Sequence, residues 1–221
     1  MKKALVLLSG GQDSTTCLFW AKERFDYVEA VGFDYGQRHN SELKFAKKIA
    51  KIAKIKFKII SLKNLFSNSA LIDMDKDINE KHPNNRTLPS SFVPGRNILF
   101  ISIASSYAYN KKIDNIVIGV CETDYSGYPD CRNEFIESIE KSISIGLEYE
   151  LRIHTPLMKL DKAETWKLAK ELGCLDIIIN DTMTDYNGSL VKNEWGYGKL
   201  DNPASKLRSE GYFKAKQNNW I

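Results

Sequence analysis

Along most of this chain, short apolar runs alternate with apolar residues at helical spacing. Runs at residues 4–8, 28–35, 56–62, 115–120 and 151–157 read as strands, the first of them buried. Segments 14–23, 41–55, 97–109, 133–148 and 162–172 read as helices between them. Within 41–55, Leu43, Ala46, Ile49, Ala50 and Ala53 share one face, as a helix laid on a sheet requires. Before 162–172, Asp161 suits the N-cap and Glu164 the reciprocal capping position, and Gly173 can close the helix. Such alternation predicts an α/β fold: a doubly wound, mostly parallel five-stranded sheet with helices on both faces and right-handed crossovers.

Two segments break the pattern. Residues 64–91 are polar, with Asn, Lys, Asp and two prolines, and read as a long surface loop or lid. Residues 181–221 are rich in Gly, Asn, Tyr and Trp without a clear period. They read as an irregular C-terminal extension on an α/β domain spanning 1–180. A length of 221 residues suits that arrangement, and 43% hydrophobic residues suffice for a core. The net charge of +4, from 32 basic and 28 acidic residues, describes a mixed surface and argues against a nucleic-acid binder. The first apolar run meets Asp13 too soon for a signal peptide, and no stretch is long enough to cross a bilayer. Cys17, Cys121, Cys131 and Cys174 are widely spaced, which fits a reduced, cytoplasmic protein.

The chemistry begins at Ser9-Gly10-Gly11-Gln12-Asp13-Ser14, placed between the first strand and the first helix. Glycines let backbone N–H groups approach phosphate oxygens, and a helix N-terminus adds aligned donors and a positive dipole end. Ser9 and Ser14 add hydroxyls. Asp13 would repel phosphate unless it holds the loop or a Mg²⁺ ion. A Walker A loop would need Gly-Lys-Ser/Thr and a dinucleotide fingerprint Gly-x-Gly-x-x-Gly; the chain has neither here. The segment instead resembles the Ser-Gly-Gly-x-Asp-Ser hallmark of the PP-loop ATP pyrophosphatases. That resemblance implies cleavage of ATP between its α and β phosphates, with adenylation of a substrate oxygen.

Four further segments narrow the resemblance: Asp34-Tyr35-Gly36-Gln37-Arg38-His39; Phe92-Val93-Pro94-Gly95-Arg96-Asn97; Thr123-Asp124-Tyr125-Ser126-Gly127-Tyr128-Pro129-Asp130-Cys131-Arg132; and Thr155-Pro156-Leu157 with Lys162-Ala163-Glu164. Together with the phosphate loop they are similar to the 7-cyano-7-deazaguanine synthase family of the queuosine pathway, over most of residues 1–190. All fall at predicted strand ends or in the following loops, where open α/β sheets bind ligands. The resemblance implies an ATP-dependent carbon–nitrogen ligase. It would adenylate 7-carboxy-7-deazaguanine, form the amide with ammonia, and reach the nitrile through a second ATP. Ser9 to Ser14, Asp34 and Arg38 would bind ATP with Mg²⁺, and Asp13, Arg96 and Lys162 would be catalytic. Tyr125, Ser126, Gly127, Tyr128, Asp130 and Arg132 would meet the deazapurine: the tyrosines by their flat faces, Asp130 by accepting from a guanine-like amino edge. Each has a plainer alternative: a turn aspartate for Asp34, a helix-start cation for Arg96 and Lys162, core tyrosines, a capping Asp130. The implied reaction needs no thiolate, so Cys131 has no role as nucleophile. A homodimer is the family's habit.

The chain departs from this family near its C-terminus. The four cysteines of the family's zinc site align with Asp185, Tyr197, Asn202 and Ser205, and this donor set does not make a structural zinc site. No zinc is therefore expected. Aromatic packing by Trp195, Tyr197, Tyr212, Phe213 and Trp220 is the candidate substitute. The loss leaves other readings open: a specialised relative that stops at the amide or joins the activated carboxylate to another amine, such as one on a protein, or a non-catalytic nucleotide- or deazapurine-binding module.

Overall fold

The structure, a computed structural model, describes residues 1–36, 41–63, 81–82, 85–89, 91–123 and 128–221. In chain order the elements are β1 (Lys3–Leu7), α1 (Gln12–Arg24), β2 (Tyr27–Asp34), α2 (Ser41–Ile52), β3 (Lys56–Ser61), β4 (Lys81–His82), β5 (Asn85–Pro89), α3 (Arg96–Asn110) and β6 (Asn115–Val117). A 3₁₀ turn (Pro129–Cys131) precedes α4 (Asn133–Leu147), β7 (Arg152–His154), α5 (Lys162–Glu171), α6 (Leu175–Asp181), β8 (Lys192–Asn193), β9 (Gly196–Tyr197) and α7 (Pro203–Gln217).

The main sheet has the order β3-β2-β1-β6-β7 and is parallel throughout. β1 lies at its centre, with Ala4 opposite Val28 on one side and Asn115 on the other. Strand alternation divides the core. Ala4, Val6 and Leu8 face Leu18, Ala21, Ile49 and Ala50 of α1 and α2. Leu5 and Leu7 face the opposite cluster of Val31, Ile101, Ile116 and Ile136, under α3 and α4. Each large apolar side chain so buried contributes about 1.5–3 kcal/mol. The chain winds outward from β1 to β3, then returns to β6 on the other side of β1. That reversal opens a crevice at the carboxyl ends of β1 and β6, the position where such sheets take ligands.

The expected strands and helices are present, with two informative trims. The runs at 115–120 and 151–157 pair only over Asn115–Val117 and Arg152–His154. Beyond Val117 the chain follows the phosphate loop: a Cβ on Gly119 would lie 3.0 Å from the Asp13 carbonyl carbon and 3.1 Å from the Ser14 nitrogen. The capping box at α5 forms in full, Asp161 accepting from the Glu164 N–H at 2.8 Å and Glu164 from the Asp161 N–H at 2.7 Å. In the expected lid, β4 and β5 pair as a short antiparallel hairpin, while residues 64–80 lie outside the described residues.

The expectation of an irregular C-terminus needs correction, because residues 203–217 form a helix. Asn202 caps it, accepting from the Ser205 N–H at 3.1 Å, and Pro203 occupies its first turn. Its buried face is Ser205, Arg208, Ser209, Gly211, Tyr212 and Ala215, which explains why no apolar period announced it. α7 lies along α5, and with α6 they enclose a third core of Ala163, Trp166, Ala169, Ile178, Trp195, Tyr212 and Ala215.

Candidate active site

The phosphate loop turns out of β1 with Gly10 at φ +96°, where a Cβ would overlap the Glu42 carbonyl oxygen and crowd the Ala46 nitrogen. Only glycine lets α2 stand this close to the loop. Gly11 caps α1 without a side-chain hydrogen bond. Of the first-turn N–H groups, that of Gln12 donates to Thr184 at 3.2 Å, while those of Asp13 and Ser14 lie at the loop, where a helix start can meet an anion. Ser9 and Ser14 are coupled through their hydroxyls at 3.0 Å, and the Ser9 N–H donates to Ser14 Oγ at 3.2 Å. Gln12 is almost fully buried, and its side-chain amide has no partner among the described residues.

Asp13 meets Lys162, the first residue of α5, at 3.0 and 3.1 Å. The ion pair neutralises a carboxylate that would otherwise repel phosphate and brings an ammonium to the loop. Lys162 is placed by α7, since a Cβ on Gly211 would press within 2.7 Å of its stem.

The C-terminal segment also holds the loop directly. The Met183 N–H donates to the Gly10 carbonyl at 3.1 Å, and the Gln12 N–H donates to Thr184 Oγ1 at 3.2 Å. Arg208, fully buried on α7, donates to Thr184 Oγ1 at 3.0 Å, to the Trp195 carbonyl at 3.0 Å and to the Ile178 carbonyl at 2.8 Å. Burial pulls its guanidinium down to about 9, against the attraction of Asp13.

The loop, Lys162, Met183 and Thr184 border one cavity of about 760 Å³, within the usual range for small-molecule sites. Its walls include Ser9, Asp13, Ser14 and Lys162 at the loop, and Tyr35, Glu42, Arg96, Tyr128 and Tyr186 beyond it. Arg96 follows Gly95, whose φ of +76° turns the chain into α3; it lies 5.9 Å from the Tyr128 ring, and its charge pulls against the burial that pushes the Tyr35 hydroxyl up to about 12. The Tyr128 hydroxyl meets Ser91 Oγ at 2.7 Å. Burial pushes the Glu42 carboxyl up to about 7, against the pull of Arg96.

Other anticipated residues lie elsewhere. Asp130 accepts from the Asn97 N–H at 3.2 Å and so holds the start of α3; it is not among the cavity walls. Asp34 accepts from the Gly36 N–H at 3.3 Å and pairs with Lys63 at 3.2 Å, outside the cavity lining. Arg132 is exposed at the start of α4. Arg38, Tyr125, Ser126 and Gly127 lie outside the described residues. Sequence reasoning missed Glu42, Thr184, Tyr186 and Arg208. Glu42 lies three residues after the Asp34–His39 segment, and Thr184 and Tyr186 flank Asp185, so position near a motif was the available clue.

The positions aligned with zinc ligands form a hydrogen-bonded knot. Asp185 Oδ2 accepts from the Lys199 N–H at 2.9 Å, Asn202 Nδ2 at 3.0 Å and Ser205 Oγ at 2.9 Å. Its Oδ1 accepts from the Asn187 N–H at 2.7 Å and the Ser189 N–H at 3.2 Å. Burial opposes the charge, but these donors overcome it and hold the Asp185 carboxyl below its ordinary value. Tyr197 stands apart, its ring 5.6 Å from Phe45; Gly198 takes the inner place, with room for no side chain beside Ser205 and Asp185. Of the aromatic residues expected to replace the metal, Trp195 and Tyr212 are buried in the third core and Phe213 is exposed. The donor set does not fit zinc, and among the described residues no group of three or more His, Cys, Asp or Glu is gathered for a metal.

Comparison with known proteins gives a family match over residues 3–216, described as queuosine biosynthesis protein QueC. A Clostridium acetobutylicum protein named 7-cyano-7-deazaguanine synthase is 47% identical over 218 residues, covering 98% of this chain and 96% of that protein. A Bacillus subtilis (strain 168) protein of the same name is 50% identical over 213 residues, covering 96% and 94%. Among solved structures, a 4-thiouridine synthetase in complex with RNA and bound ATP superposes with a TM-score of 0.54 at 18% identity. That match covers 98% of this chain and 53% of the other, and it is a likeness of fold.

Proposed function

The chain belongs to the queuosine biosynthesis protein QueC family, and we propose that it uses ATP to convert 7-carboxy-7-deazaguanine and ammonia into 7-cyano-7-deazaguanine. One observation carries the reading: the match to a synthase of that name, at 47% identity, runs over 98% of the chain.

The residues divide the work by their chemistry. Ser9 to Ser14 and the open start of α1 would cradle the phosphates of ATP. Lys162, neutralising Asp13 in the resting site, would stabilise charge on the departing pyrophosphate. Mg²⁺ would arrive with ATP, and Asp13 is the loop carboxylate that would meet it. Arg96 would hold the substrate carboxylate in line with the α-phosphate. Tyr128 and Tyr186 would flank the flat ring. Asp34, Arg38 and the segment from Tyr125 to Gly127 keep their assignments to ATP and deazapurine as part of this proposal, and Asp130 supports the site by fixing the start of α3.

Residues 181–221 would act as a brace on the 1–180 unit, held by the Asp185 knot without zinc. We also propose a homodimer working in the cytoplasm; among the described residues no helix is long and apolar enough to cross a membrane. The test is to mix the protein with ATP, 7-carboxy-7-deazaguanine and ammonium and to follow AMP, pyrophosphate and product mass. AMP release that depends on the acid, with a nitrile product, is expected; no acid-dependent AMP would defeat the proposal.

A further inference from the structure

The proposed reaction removes three protons from nitrogen. One leaves when ammonia adds to the acyl-adenylate, and two leave when the adenylated amide becomes a nitrile. The cavity therefore needs a proton acceptor near the reacting carbon.

Its described walls carry four carboxylates: Asp13, Glu42, Asp185 and Glu210. Asp13 is bound by Lys162 on both oxygens. Asp185 is engaged by five donors. Glu210 is exposed on α7. Glu42 differs from all three. Its backbone carbonyl stands against Gly10, so its residue rests directly on the phosphate loop. Its surroundings within the cavity are Arg96 on α3, Tyr35 after β2 and Tyr186 from the C-terminal segment.

We propose, on the functional reading above, that Glu42 is the general base that deprotonates the incoming amine and then the amide nitrogen. In the first half, the nitrogen lone pair forms a C–N bond to the acyl carbon, Glu42 takes one N–H proton, and AMP leaves with the C–O electron pair. In the second, the amide oxygen attacks the α-phosphorus of another ATP and pyrophosphate leaves. Two N–H protons then depart as the C–O bond to AMP breaks, giving C≡N. Glu42 accepts these protons in turn and returns them to solvent between steps. Burial, which pushes its carboxyl up to about 7, matches the group to this work near neutral pH.

The experiment separates the adenylation step, which moves no nitrogen proton, from the steps that do. Pyrophosphate exchange into ATP, driven by 7-carboxy-7-deazaguanine without ammonia, reports the first. Ammonium-dependent amide and nitrile formation reports the second. Glu42→Gln should keep exchange within about threefold of the parent and lower amide formation by about 100-fold or more. Glu42→Asp should recover part of that loss. At constant free ammonia, the parent's amide rate should rise with pH and level above about 7 as Glu42 deprotonates, and Glu42→Gln should lack that limb. Equal loss of exchange and amide formation in Glu42→Gln would mark Glu42 as a recognition or folding residue and overturn the proposal. So would an unchanged amide rate, or a parent profile matching that of Glu42→Gln. No acid-dependent exchange in the parent would instead defeat the functional reading itself.

Discussion

Asp185→Asn changes one oxygen to an amino group with almost no change in shape, and it should cost the protein much of its stability. Asp185 is 1% exposed and accepts five hydrogen bonds. With the amide oxygen turned to the Asn187 and Ser189 N–H groups, the new amino group faces the Lys199 N–H, Asn202 Nδ2 and Ser205 Oγ. The serine hydroxyl can rotate to accept. The other two donors cannot, and each loses its carboxylate partner at about 1–3 kcal/mol. The expected loss is about 2–4 kcal/mol, or roughly 5–15 °C in Tm for a chain of this size. Circular dichroism melts of parent and variant measure it directly. The pH dependence has a definite sign. A carboxyl held below its ordinary value contributes stability above the unfolded pKa of about 3.9 and loses it as pH falls toward the folded value. The gap between parent and variant should therefore narrow below about pH 4. A loss under about 0.5 kcal/mol at neutral pH would refute the view that this knot holds the segment. So would a parent Tm that falls on chelator treatment with release of stoichiometric zinc.

Lys162→Met should lower acid-dependent pyrophosphate exchange by about 100-fold or more, since it removes the ammonium at the loop and leaves Asp13 facing the phosphates; steady-state exchange kinetics check this. Gly10→Ala should abolish ATP binding measured by calorimetry, or prevent folding, because its φ is positive and its Cβ would overlap the Glu42 carbonyl oxygen. Thr184→Val should raise the KM for ATP or lower kcat by about tenfold and also lower Tm by several degrees, because it removes the acceptor shared by the Gln12 N–H and the buried Arg208; Thr184→Ser should restore both.

The sequence showed the frame and the strand–loop–helix turn at Ser9 to Ser14 clearly, and the physical reason lies in period and punctuation. Parallel strands buried on both faces appear as apolar runs, as in Ala4 to Leu8, and α5 carries its capping box in plain view at Asp161 and Glu164. Ser9 to Ser14 were legible because strand, glycines and helix are contiguous. What stayed hidden depends on contacts between distant segments. α7 buries Ser205, Arg208 and Gly211, none of which reads as core; Gly211 is needed because Lys162 lies against it. Thr184 acquires its role only when residues 172 positions apart meet at the Gln12 N–H. The hydrogen bond from the Asn97 N–H to Asp130 is likewise set by where α3 begins, which the sequence does not display. The knot at Asp185 draws on donors of which two are backbone N–H groups close to it in sequence, Asn187 and Ser189, which no residue type could announce.

The central claim is best tested by supplying ¹⁵N-labelled ammonium with ATP and 7-carboxy-7-deazaguanine, then weighing the product and counting AMP. The account predicts 7-cyano-7-deazaguanine carrying one ¹⁵N, with pyrophosphate released at each activation, one AMP released on amide formation and a second on nitrile formation, and an amide that appears first and is consumed. Unaltered acid with no AMP would contradict it, as would an amide that accumulates and never becomes the nitrile.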